Sequence, residues 1–392
     1  MQLEFKEYKV RKIVNIHKHV DGPWFWGKYT AHPYIGCRHG CVYCYTRSSK
    51  YIGQQNADTF STQIKIKMNA AERLRLELPR LEKEIISVGD WQLPAEKHYR
   101  LSRAMLEVVL EEKFPLFIIE RSPYLTQDLD LLVEINEQSW AGVLFSISSL
   151  DKDLKLAFEP FSPGVHQRLK AMEQLALKGI TVGTAMMPIF PMVGDKKQQI
   201  EDLVKATRDH GGICILAGGM TMNGVQAQLT FDAASRFDQG LEARWNVFYG
   251  KKPGSKMSFG PSRKYSAGLG LRVRAICEKH ALLDRMPRYI SPGPLSINKR
   301  IAEKLFLKTY DLELEEAVDT RIWAYRRAAW TVDELDESIW KIYLQGGEST
   351  LKQLPGIGKS ISGQIGKWLQ EEKGDDHGKR NPGKSQGDVG EI

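Results

Sequence analysis

The sequence has few of the features that mark secreted or membrane proteins. No apolar run approaches the roughly 18 to 20 residues of a membrane-spanning helix, and the opening MQLEFKEYKVRK is not followed by the apolar segment of a signal peptide. Only five of the 392 residues are cysteines, and three of these are clustered, which excludes a secreted disulfide framework. Internal repeats are also lacking beyond alternating strand and helix patterns. We therefore expect a cytoplasmic protein.

The charge balance is shifted towards the positive. Lysine and arginine number 56 against 48 acidic residues, which gives a net charge of +8 and a pI near 9.0. Such a surplus favours an anionic partner such as nucleic acid. Because 42% of the residues are hydrophobic, the chain can bury a core, and its length suits one large domain and a smaller one.

Short apolar segments alternate with stretches of helical periodicity through the first half of the chain. The six predicted strands are residues 61–69, 86–89, 115–120, 142–149, 180–189 and 213–220. Short strands that are apolar on both faces and alternate with helices predict parallel β/α units. We expect an α/β fold, a partial (β/α)6 TIM-like barrel, although an open doubly wound sheet fits the same alternation.

A barrel of this kind places its active site at the carboxyl ends of its strands. The side chains that follow the predicted strands are therefore the first candidates for function. They are Asp90, Gln92, Glu96, Glu120, Arg121, Ser146, Ser148, Pro188, Pro191, Gly218 and Gly219.

The domain boundaries follow from changes in composition. Residues 1–291 are predicted to form the large domain, with its core in residues 29–220. The segment YISPGPLS, rich in proline, is the best linker in the sequence. Residues 297–370 read as helices joined by short turns and predict a small all-α domain. Residues 371–392 are almost devoid of apolar side chains and are predicted to be disordered.

Three cysteines stand in the glycine-containing and aromatic stretch AHPYIGCRHGCVYCYTR. Cys37, Cys41 and Cys44 follow a C-x3-C-x2-C pattern. Three thiolates can hold three irons of a four-iron, four-sulfur (4Fe-4S) cluster, and because a fully protein-ligated cluster takes four cysteines, one iron would stay open for another ligand. Two other interpretations remain. Either His39 or His32 completes a zinc site, although structural zinc sites usually bring two separate ligand pairs, or the thiols are buried without a metal.

The cysteine motif resembles that of the radical S-adenosylmethionine (SAM) enzymes. More narrowly, PYIGCRHGCVYCYTR resembles the spore photoproduct lyase-like branch, which also carries tyrosines at the positions of Tyr43 and Tyr45, and the similarity extends over residues 29–220. The resemblance implies a 4Fe-4S cluster on the three cysteines, SAM on its open iron, and a reductant such as flavodoxin or ferredoxin. Cleavage of SAM would give a 5′-deoxyadenosyl radical that abstracts a hydrogen atom from the substrate. The resemblance also makes the two tyrosines catalytic candidates.

The same resemblance suggests cofactor contacts for polar residues beyond the motif. Arg121 stands where the family often has a lysine for the SAM carboxylate, which arginine can bind through two hydrogen bonds; a surface charge at a strand end is the alternative. Asp90 and Gln92 are candidates for contact with cofactor or substrate, or Asp90 caps the next turn. Ser146 and Glu159 complete the cofactor-binding set, with Glu159 either binding the ribose or lying solvated in its loop.

The sequence departs from the lyase pattern at one important position. Spore photoproduct lyases carry a hydrogen-donating cysteine a few residues before the aspartate that matches Asp90, whereas residues 86–89 here contain none. Classical reversal of a thymine dimer is therefore not expected. Cys214 and Cys277 lie in apolar segments, and we expect them to pack in the core rather than to donate hydrogen.

The segment LPGIGKSISGQI predicts a second functional site. Gly356 and Gly358 form a tight turn that opens onto a helix, whose free N–H groups and dipole favour a phosphate, and Lys359 adds positive charge. The segment resembles a helix-hairpin-helix, and residues 297–370 resemble the N-terminal domain of family X DNA polymerases, which implies DNA binding. Because Gln364 occupies the position of the polymerase lysine that attacks an abasic sugar, no Schiff base is expected. Alternatively, the turn only joins two packed helices.

Together the two motifs in one basic chain suggest a radical SAM enzyme that acts on damaged DNA. One alternative is a DNA-binding or damage-sensing protein whose iron–sulfur cluster is structural or redox-active. Another is a radical SAM enzyme that modifies RNA or protein.

Overall fold

The computed structural model describes residues 3–20, 22–53, 59–222, 224–250 and 260–375. The chain divides into two compact units, Met1–Pro287 and Arg288–Ile392, just before the linker predicted from the sequence. The last helix continues to Asp375, five residues into the segment predicted to be disordered. The rest of that segment, residues 376–392, lies outside the described residues.

The first unit contains two sheets. Its strands are β1 (Glu4–Tyr8), β2 (Asn15–Ile16), β3 (Tyr29–Ala31), β4 (Tyr34–Ile35), β5 (Gln63–Lys67), β6 (Ile86–Val88), β7 (Leu116–Glu120), β8 (Ala141–Ser146), β9 (Thr181–Ile189) and β10 (Cys214–Gly219). The main sheet has the order β10-β9-β8-β7-β6-β3-β2, and the smaller sheet has the order β1-β5-β4. In the main sheet β3 and β6 to β10 run parallel, and β2 is antiparallel to β3.

The strand order decides between the two predicted sheet types. A doubly wound sheet reverses its strand order at a switch point. Here β6, β7, β8, β9 and β10 are neighbours in the order in which they occur in the chain. With β3, they form the six parallel strands of a mixed α/β fold with the order of a partial (β/α)6 barrel.

One of the six predicted barrel strands belongs to the smaller sheet. Gln63–Lys67 does form a strand, but it pairs with β1 and β4, and the first barrel strand is Tyr29–Ala31 instead. Ile64 and Ile66 are buried while the residues between them are half-buried. This alternation is typical of a strand with one solvated face, whereas all six residues of β8 are buried, as expected for a covered parallel strand.

The alternation of side chains along β7 places Arg121 towards the inside of the barrel. Leu116 and Ile118 belong to the large core between the sheet and its helices. Because successive side chains of a strand point to opposite faces, Phe117, Ile119 and Arg121 face the barrel interior. Ile119 is 37% exposed although it lies in the middle of the sheet, which is consistent with space inside the barrel.

The first unit also contains helices, several of which pack against the main sheet. They are α1 (Ser49–Ile52), α2 (Ala70–Glu77), α3 (Ala95–Tyr99), α4 (Leu101–Glu111), α5 (Leu129–Gln138), α6 (Lys152–Phe158), α7 (Val165–Ala176), α8 (Lys197–Asp209), α9 (Gly224–Phe237), α10 (Leu241–Phe248) and α11 (Arg263–Lys279). The helical pattern of residues 70–83 stops early because Pro79 cannot continue the hydrogen-bond ladder. Cys214 and Cys277 are fully buried, which confirms their predicted place in the core.

The described residues of the second unit form helices without strands. These are α12 (Ser296–Leu314), α13 (Asp319–Asp333), α14 (Ile339–Gly346), α15 (Glu348–Leu351) and α16 (Lys359–Asp375). Leu305, Ala328, Val332 and Ile365 are fully buried and form part of its own core. Across the described parts of both units, no helix has the length and apolar character needed to cross a membrane.

Candidate active site

Two glycines allow the cysteine loop to turn tightly against its neighbours. Gly36 and Gly40 have φ angles of +92° and +70°, which glycine adopts far more readily than other residues. A Cβ on Gly36 would lie 2.7 Å from the carbonyl oxygen of Gln63 and 2.8 Å from that of Phe60, and a Cβ on Gly40 would lie 2.8 Å from the Phe161 ring. The loop is therefore pressed against β5 and against the segment that follows α6.

Gln92 fastens the backbone on both sides of the first cysteine. Its side chain is fully buried. Its amide nitrogen donates to the Gly36 carbonyl oxygen at 2.9 Å, and its amide oxygen accepts from the Arg38 N–H at 2.9 Å. The Cys37 N–H donates to the Phe60 carbonyl oxygen at 3.0 Å. Gln92, predicted to contact cofactor or substrate, thus contacts the cysteine loop itself.

Asp90 and Glu120 place two carboxyl groups at the ends of neighbouring strands. Glu120 accepts three backbone N–H groups at 2.6 to 3.0 Å, and Asp90 accepts from the backbone N–H and side-chain amide of Gln92 at 3.0 and 2.8 Å. Burial, reinforced by the charge of Glu120, raises the pKa of Asp90 to about 8 despite these hydrogen bonds. Burial therefore shifts Asp90 towards its protonated form.

Arg121 reaches from the end of β7 to the middle cysteine. Its Nη1 donates to the Cys41 Sγ at 3.2 Å, and its Nη2 donates to the Tyr43 hydroxyl at 2.8 Å and to the Ser146 Oγ at 2.7 Å. Its Nε is buried and has no hydrogen-bond partner among the described residues. A buried guanidinium with an unused N–H is suited to a further acceptor.

Glu159 is the centre of a buried polar network. Tyr43 donates a short hydrogen bond to its Oε1, the Ser148 Oγ donates to the same atom at 3.0 Å, and the Arg168 Nη2 donates to its Oε2 at 2.8 Å. Burial alone would raise the pKa of Glu159, but the charges of Arg121 and Arg168 outweigh it and lower the pKa to about 2. Both carboxylate oxygens are engaged by protein groups, so a ribose, the ligand predicted for Glu159, would have to share them.

Two of the three thiols, Cys41 and Cys37, lie in environments that favour their protonated form when no metal is bound. Burial raises the pKa of Cys41 to about 11, although Arg121 acts in the opposite direction. Burial also raises the pKa of Cys37 well above its usual value, with further contributions from the charges of Asp90 and the other two cysteines. A metal must therefore displace protons from these sulfurs when it binds.

The described residues contain no group of three His, Cys, Asp or Glu side chains placed to hold one metal ion, and this holds for the three cysteines as well as for any set that includes a histidine. The His32 Nδ1 lies 2.9 Å from the Gly89 carbonyl oxygen. His39 is buried, and burial with the charges of Arg121 and Arg168 lowers its pKa to about 3. Neither histidine completes a site with the thiols.

The two tyrosines of the motif lie in opposite environments. Tyr43 is 7% exposed and joins the network of Arg121 and Glu159. Tyr45 is 62% exposed and contacts the ring of Tyr51 edge-on, with ring centres 5.3 Å apart. The network gathers Tyr43, Arg121, Ser146 and Glu159, and Tyr45 stays outside it.

Sequence reasoning missed the most buried charge of the site. Arg168 is fully buried, binds Glu159 and also donates from Nη1 to the Ser146 carbonyl oxygen at 2.7 Å. The sequence does contain one indication of this role. Arg168 stands next to Leu169 on an apolar stripe of α7 that continues with Met172 and Leu175. A charge on such a stripe must have a buried partner. Glu120 and Ser148 were noted only as strand-end residues.

The second unit carries a separate pocket at its glycine turn. Gly356 has a φ of +75°, and α16 begins at Lys359 directly after Gly358. The pocket has a volume of about 460 Å³, and its lining includes Arg321, Tyr325, both glycines, Lys359 and Ser360. The predicted DNA-contact residues therefore share one pocket with a cation and an aromatic ring from α13.

Comparison with known proteins identifies the chemistry of the first unit. Residues 32–207 match the model of the Radical SAM superfamily. These residues form a radical SAM domain. The match covers the cysteine loop, the strand ends that carry Asp90, Arg121 and Ser146, and Glu159 at the end of α6.

Solved structures agree with the fold of this domain. A spore photoproduct lyase variant with bound SAM and dinucleoside spore photoproduct superposes with a TM-score of 0.54 at 14% identity, covering 71% of this chain and 81% of that one. A lyase complexed with the dinucleoside spore photoproduct gives the same TM-score, identity and coverage. At this level of identity the likeness concerns the fold alone.

Curated relatives share more sequence but are described only as uncharacterized. A protein of Mycobacterium tuberculosis is 25% identical over 232 residues, 58% of this chain and 68% of the relative. A protein of Methanocaldococcus jannaschii is 28% identical over 191 residues, 48% of this chain and 69% of the relative.

The radical SAM domain fixes the class of protein and its cofactors. The protein is an enzyme, and its cofactors are a 4Fe-4S cluster and SAM, as in the superfamily it matches. The cysteine, arginine and carboxylate groups described above are therefore candidates for holding these two cofactors.

Proposed function

We propose that the protein is a radical SAM enzyme that acts on damaged DNA, with the barrel holding the cofactors and the second unit binding DNA. The single observation that carries the DNA assignment is the pocket at the Gly356 turn, which combines Arg321 and Lys359 with the N-terminus of α16. Backbone N–H groups at a helix N-terminus and two cations are suited to phosphate. Contacts of this kind hold DNA without reading its sequence.

In this proposal Cys37, Cys41 and Cys44 hold the cluster, and Arg121 receives the carboxylate of SAM. Three cysteines on one loop supply three of the four ligands of a 4Fe-4S cluster. The buried, unpartnered Nε of Arg121 supports the second assignment, since a carboxylate oxygen would satisfy it. When bound, the cofactors supply a carbon-centred radical that abstracts hydrogen from the substrate.

The protein's own contribution is to hold these groups in place. Gln92 fixes the backbone around Cys37, and Ser146 holds the Nη2 of Arg121 at 2.7 Å. Glu159 and Arg168 fix the hydroxyl of Tyr43 in the same network. We assign Tyr43 a role at the reaction site on this basis. For Tyr45 the catalytic prediction from the sequence stands without a supporting contact.

The cluster assignment is tested by substitution after anaerobic reconstitution. We expect Cys41→Ala to lose the brown absorbance and the formation of 5′-deoxyadenosine, while Cys277→Ala, which changes a buried cysteine of the core, retains the absorbance. Retention of four irons per chain and of SAM cleavage by Cys41→Ala would defeat the assignment.

The substrate assignment is tested by product analysis on a panel of duplex oligonucleotides, each with one defined lesion. We expect the reduced enzyme with SAM to convert at least one lesion, with deuterium transfer between substrate and 5′-deoxyadenosine. SAM cleavage without change in any DNA, together with conversion of RNA or a protein, would replace DNA by the alternative substrate class. Failure of the reduced, iron-loaded protein to cleave SAM would contradict the catalytic role itself.

A further inference from the structure

Aromatic side chains from the segment between β2 and β3 lie on the inner side of the barrel. The Phe25 ring stacks on the ring of Phe117, with ring centres 6.0 Å apart and 23° between the ring planes. Phe117 faces the barrel interior, because it alternates with the core residues of β7. The centre of the Trp24 ring lies 6.5 Å from that of Phe25. The segment thus brings two neighbouring rings to the inner face of the sheet.

Trp24 contacts the last strand of the main sheet. A Cβ on Gly218, in β10, would lie 3.7 Å from the Trp24 Cζ3 and 3.1 Å from the Sδ of Met187, in β9. Ile215 and Ala217 contact the large core outside the barrel, so Gly218, which alternates with them, faces inwards. Because Gly218 has no side chain, the indole can lie close to the strand itself. Trp24 therefore reaches from the segment before β3 to β10.

The pairing register shows at which end of the strands this contact lies. Ser146 pairs with Ala185, and Ala185 pairs with Leu216. Met187 and Gly218 are each two residues further along their strands, so they form the next inward-facing layer towards the carboxyl ends. Ser146 belongs to the buried network that holds the arginine of the proposed cofactor site. The indole therefore contacts the layer next to that network, at the end of the barrel where active sites lie.

The segment that carries Trp24 is fixed in position, yet it leaves this ring partly uncovered. Trp26 is buried at a φ of +54°, and its Nε1 donates to the Met286 carbonyl oxygen at 2.9 Å. A bulky residue persists at a positive φ only where its surroundings hold it there. The guanidinium of Arg285, which is buried, lies 5.0 Å from the ring centre of Trp24. Trp24 itself is 36% exposed.

A planar aromatic ring is the ligand that this arrangement fits best. The neighbouring inward-facing side chains are apolar, since Ile119 is partly exposed within the barrel and Met187 is half-buried. Bases of single-stranded nucleic acid stack on aromatic side chains such as tryptophan. A base that enters a barrel must first leave its stack in the duplex, as in other enzymes that act on bases. A partly exposed, immobilised indole offers such a base a surface to stack on.

We propose that Trp24 stacks on the base of the DNA substrate and holds it at the carboxyl ends of β9 and β10, with Arg285 fixing the indole. The inference rests on the proposed function, since it names the group by which the barrel binds DNA. SAM carries an adenine ring of the same planar chemistry. The test therefore measures the binding of both ligands.

The test uses the full-length, iron-loaded protein and a short oligothymidylate with one central 5-iododeoxyuridine. This base crosslinks to a stacked aromatic side chain under long-wavelength ultraviolet light, and peptide mapping by mass spectrometry identifies the residue. Affinities for the oligonucleotide are measured by fluorescence anisotropy at high salt, which weakens phosphate contacts. Trp24→Leu removes the ring, and Trp24→Phe keeps one. Leu177→Ala is the control, because Leu177 is exposed and lies before β9, at the opposite ends of the parallel strands.

We expect the crosslink at Trp24. Trp24→Leu should weaken oligonucleotide binding about tenfold, Trp24→Phe should restore most of it, and Leu177→Ala should bind as the wild type does. The affinity for SAM should stay unchanged in all three variants. If Trp24→Leu does not fold, the crosslink in the wild type and the affinity of Trp24→Phe still decide the inference.

A wild-type protein that crosslinks only at other residues would overturn the inference, as would unchanged oligonucleotide affinity in Trp24→Leu. Loss of SAM affinity in place of oligonucleotide affinity would also overturn it, because the indole would then bind the adenine of the cofactor. The proposed function is decided separately. If no lesion in the duplex panel is converted, that function fails, and the crosslink still shows whether Trp24 binds a base.

Discussion

The cysteine loop and the Gly356 turn are both short segments shaped by glycine, but they differ in what surrounds them. At Gly36 an added Cβ would meet two carbonyl oxygens within 2.8 Å, whereas nothing lies within 4 Å of the corresponding position at Gly358. The loop is held by hydrogen bonds to and from Gln92 and by a buried ionic network. The turn instead borders a pocket of about 460 Å³.

The difference follows from the task that each segment is proposed to perform. A metal cofactor requires ligands held in fixed positions, and the close packing and buried charges around the loop hold them there. A phosphate-binding turn requires accessible N–H groups and cations, so open space around it is of use. The effects of substitutions in the two segments should therefore differ in size and in the property that is changed.

The largest effect is expected from the buried network beside the cysteine loop. Arg168→Met removes the cation that binds Glu159 and leaves that carboxylate buried without its nearest cation. We expect the free energy of unfolding, measured by urea titration, to fall by about 3 to 5 kcal/mol. As a control, Arg75→Met removes an exposed partner of Glu111 and should cost less than about 1 kcal/mol. Equally small losses in both variants would contradict the importance of the network.

The pH dependence of stability is expected to report on the same network. Because the folded-state pKa of Glu159 is lowered from 4.5 to about 2, its contribution is present above the unfolded pKa and is lost as the pH falls towards 2. The difference in unfolding free energy between wild type and Glu159→Gln should therefore change by roughly 3 kcal/mol between about pH 6 and pH 2. Urea titrations at each pH measure it, and a constant difference would show that Glu159 does not titrate as inferred.

A matched pair of glycine substitutions compares the two segments directly. Gly36→Ala forces a Cβ against the carbonyl oxygens of Phe60 and Gln63 at a φ of +92°, and we expect a loss of about 2 kcal/mol or more. Gly358→Ala meets no atom within 4 Å and should change stability by less than about 0.5 kcal/mol. Thermal and urea unfolding both measure the pair. Similar losses at the two positions would remove the contrast drawn above.

The smallest effect is expected in DNA binding, where single phosphate contacts are weak. Lys359→Gln should lower duplex affinity uniformly across sequences and reduce the slope of log affinity against log salt by about 1. Fluorescence anisotropy over a salt series measures this slope. Lys341→Gln, which alters an exposed lysine of α14 outside the pocket, is the control. An unchanged slope for Lys359→Gln would separate the turn from phosphate binding.

The parallel strands could be predicted because their composition reports burial on both faces. Five of the six predicted strands, β6 to β10, occur in the main sheet. The sixth, Gln63–Lys67, is a strand in the smaller sheet, and its alternating burial gives no information about which strand it pairs with. Pairing partners depend on the path of the whole chain rather than on local pattern.

The candidate site could be predicted where a motif specifies chemistry and not where it depends on packing. The spacing of the three cysteines pointed to an iron–sulfur site, and the comparison confirms the cofactor class. Tyr43 and Tyr45 are the same residue type two positions apart, yet one is buried and the other exposed. No periodicity distinguishes them, because Tyr43 lies in an irregular turn and Tyr45 begins a 3-10 helix of only three residues. Arg168 was missed for a related reason, since its partners lie on other segments of the chain.

The way in which the cysteine loop is held limits how it can be moved to another protein. Its supports come from far along the chain: the carbonyl of Phe60, the amide of Gln92, the guanidinium of Arg121 and the carbonyl of Phe158, to which the Val42 N–H donates at 3.1 Å. A peptide with the same cysteine spacing would lack all four. A graft that preserves this cofactor site must therefore transfer the segment around Phe60, the ends of β6 and β7 and the end of α6 together with the loop.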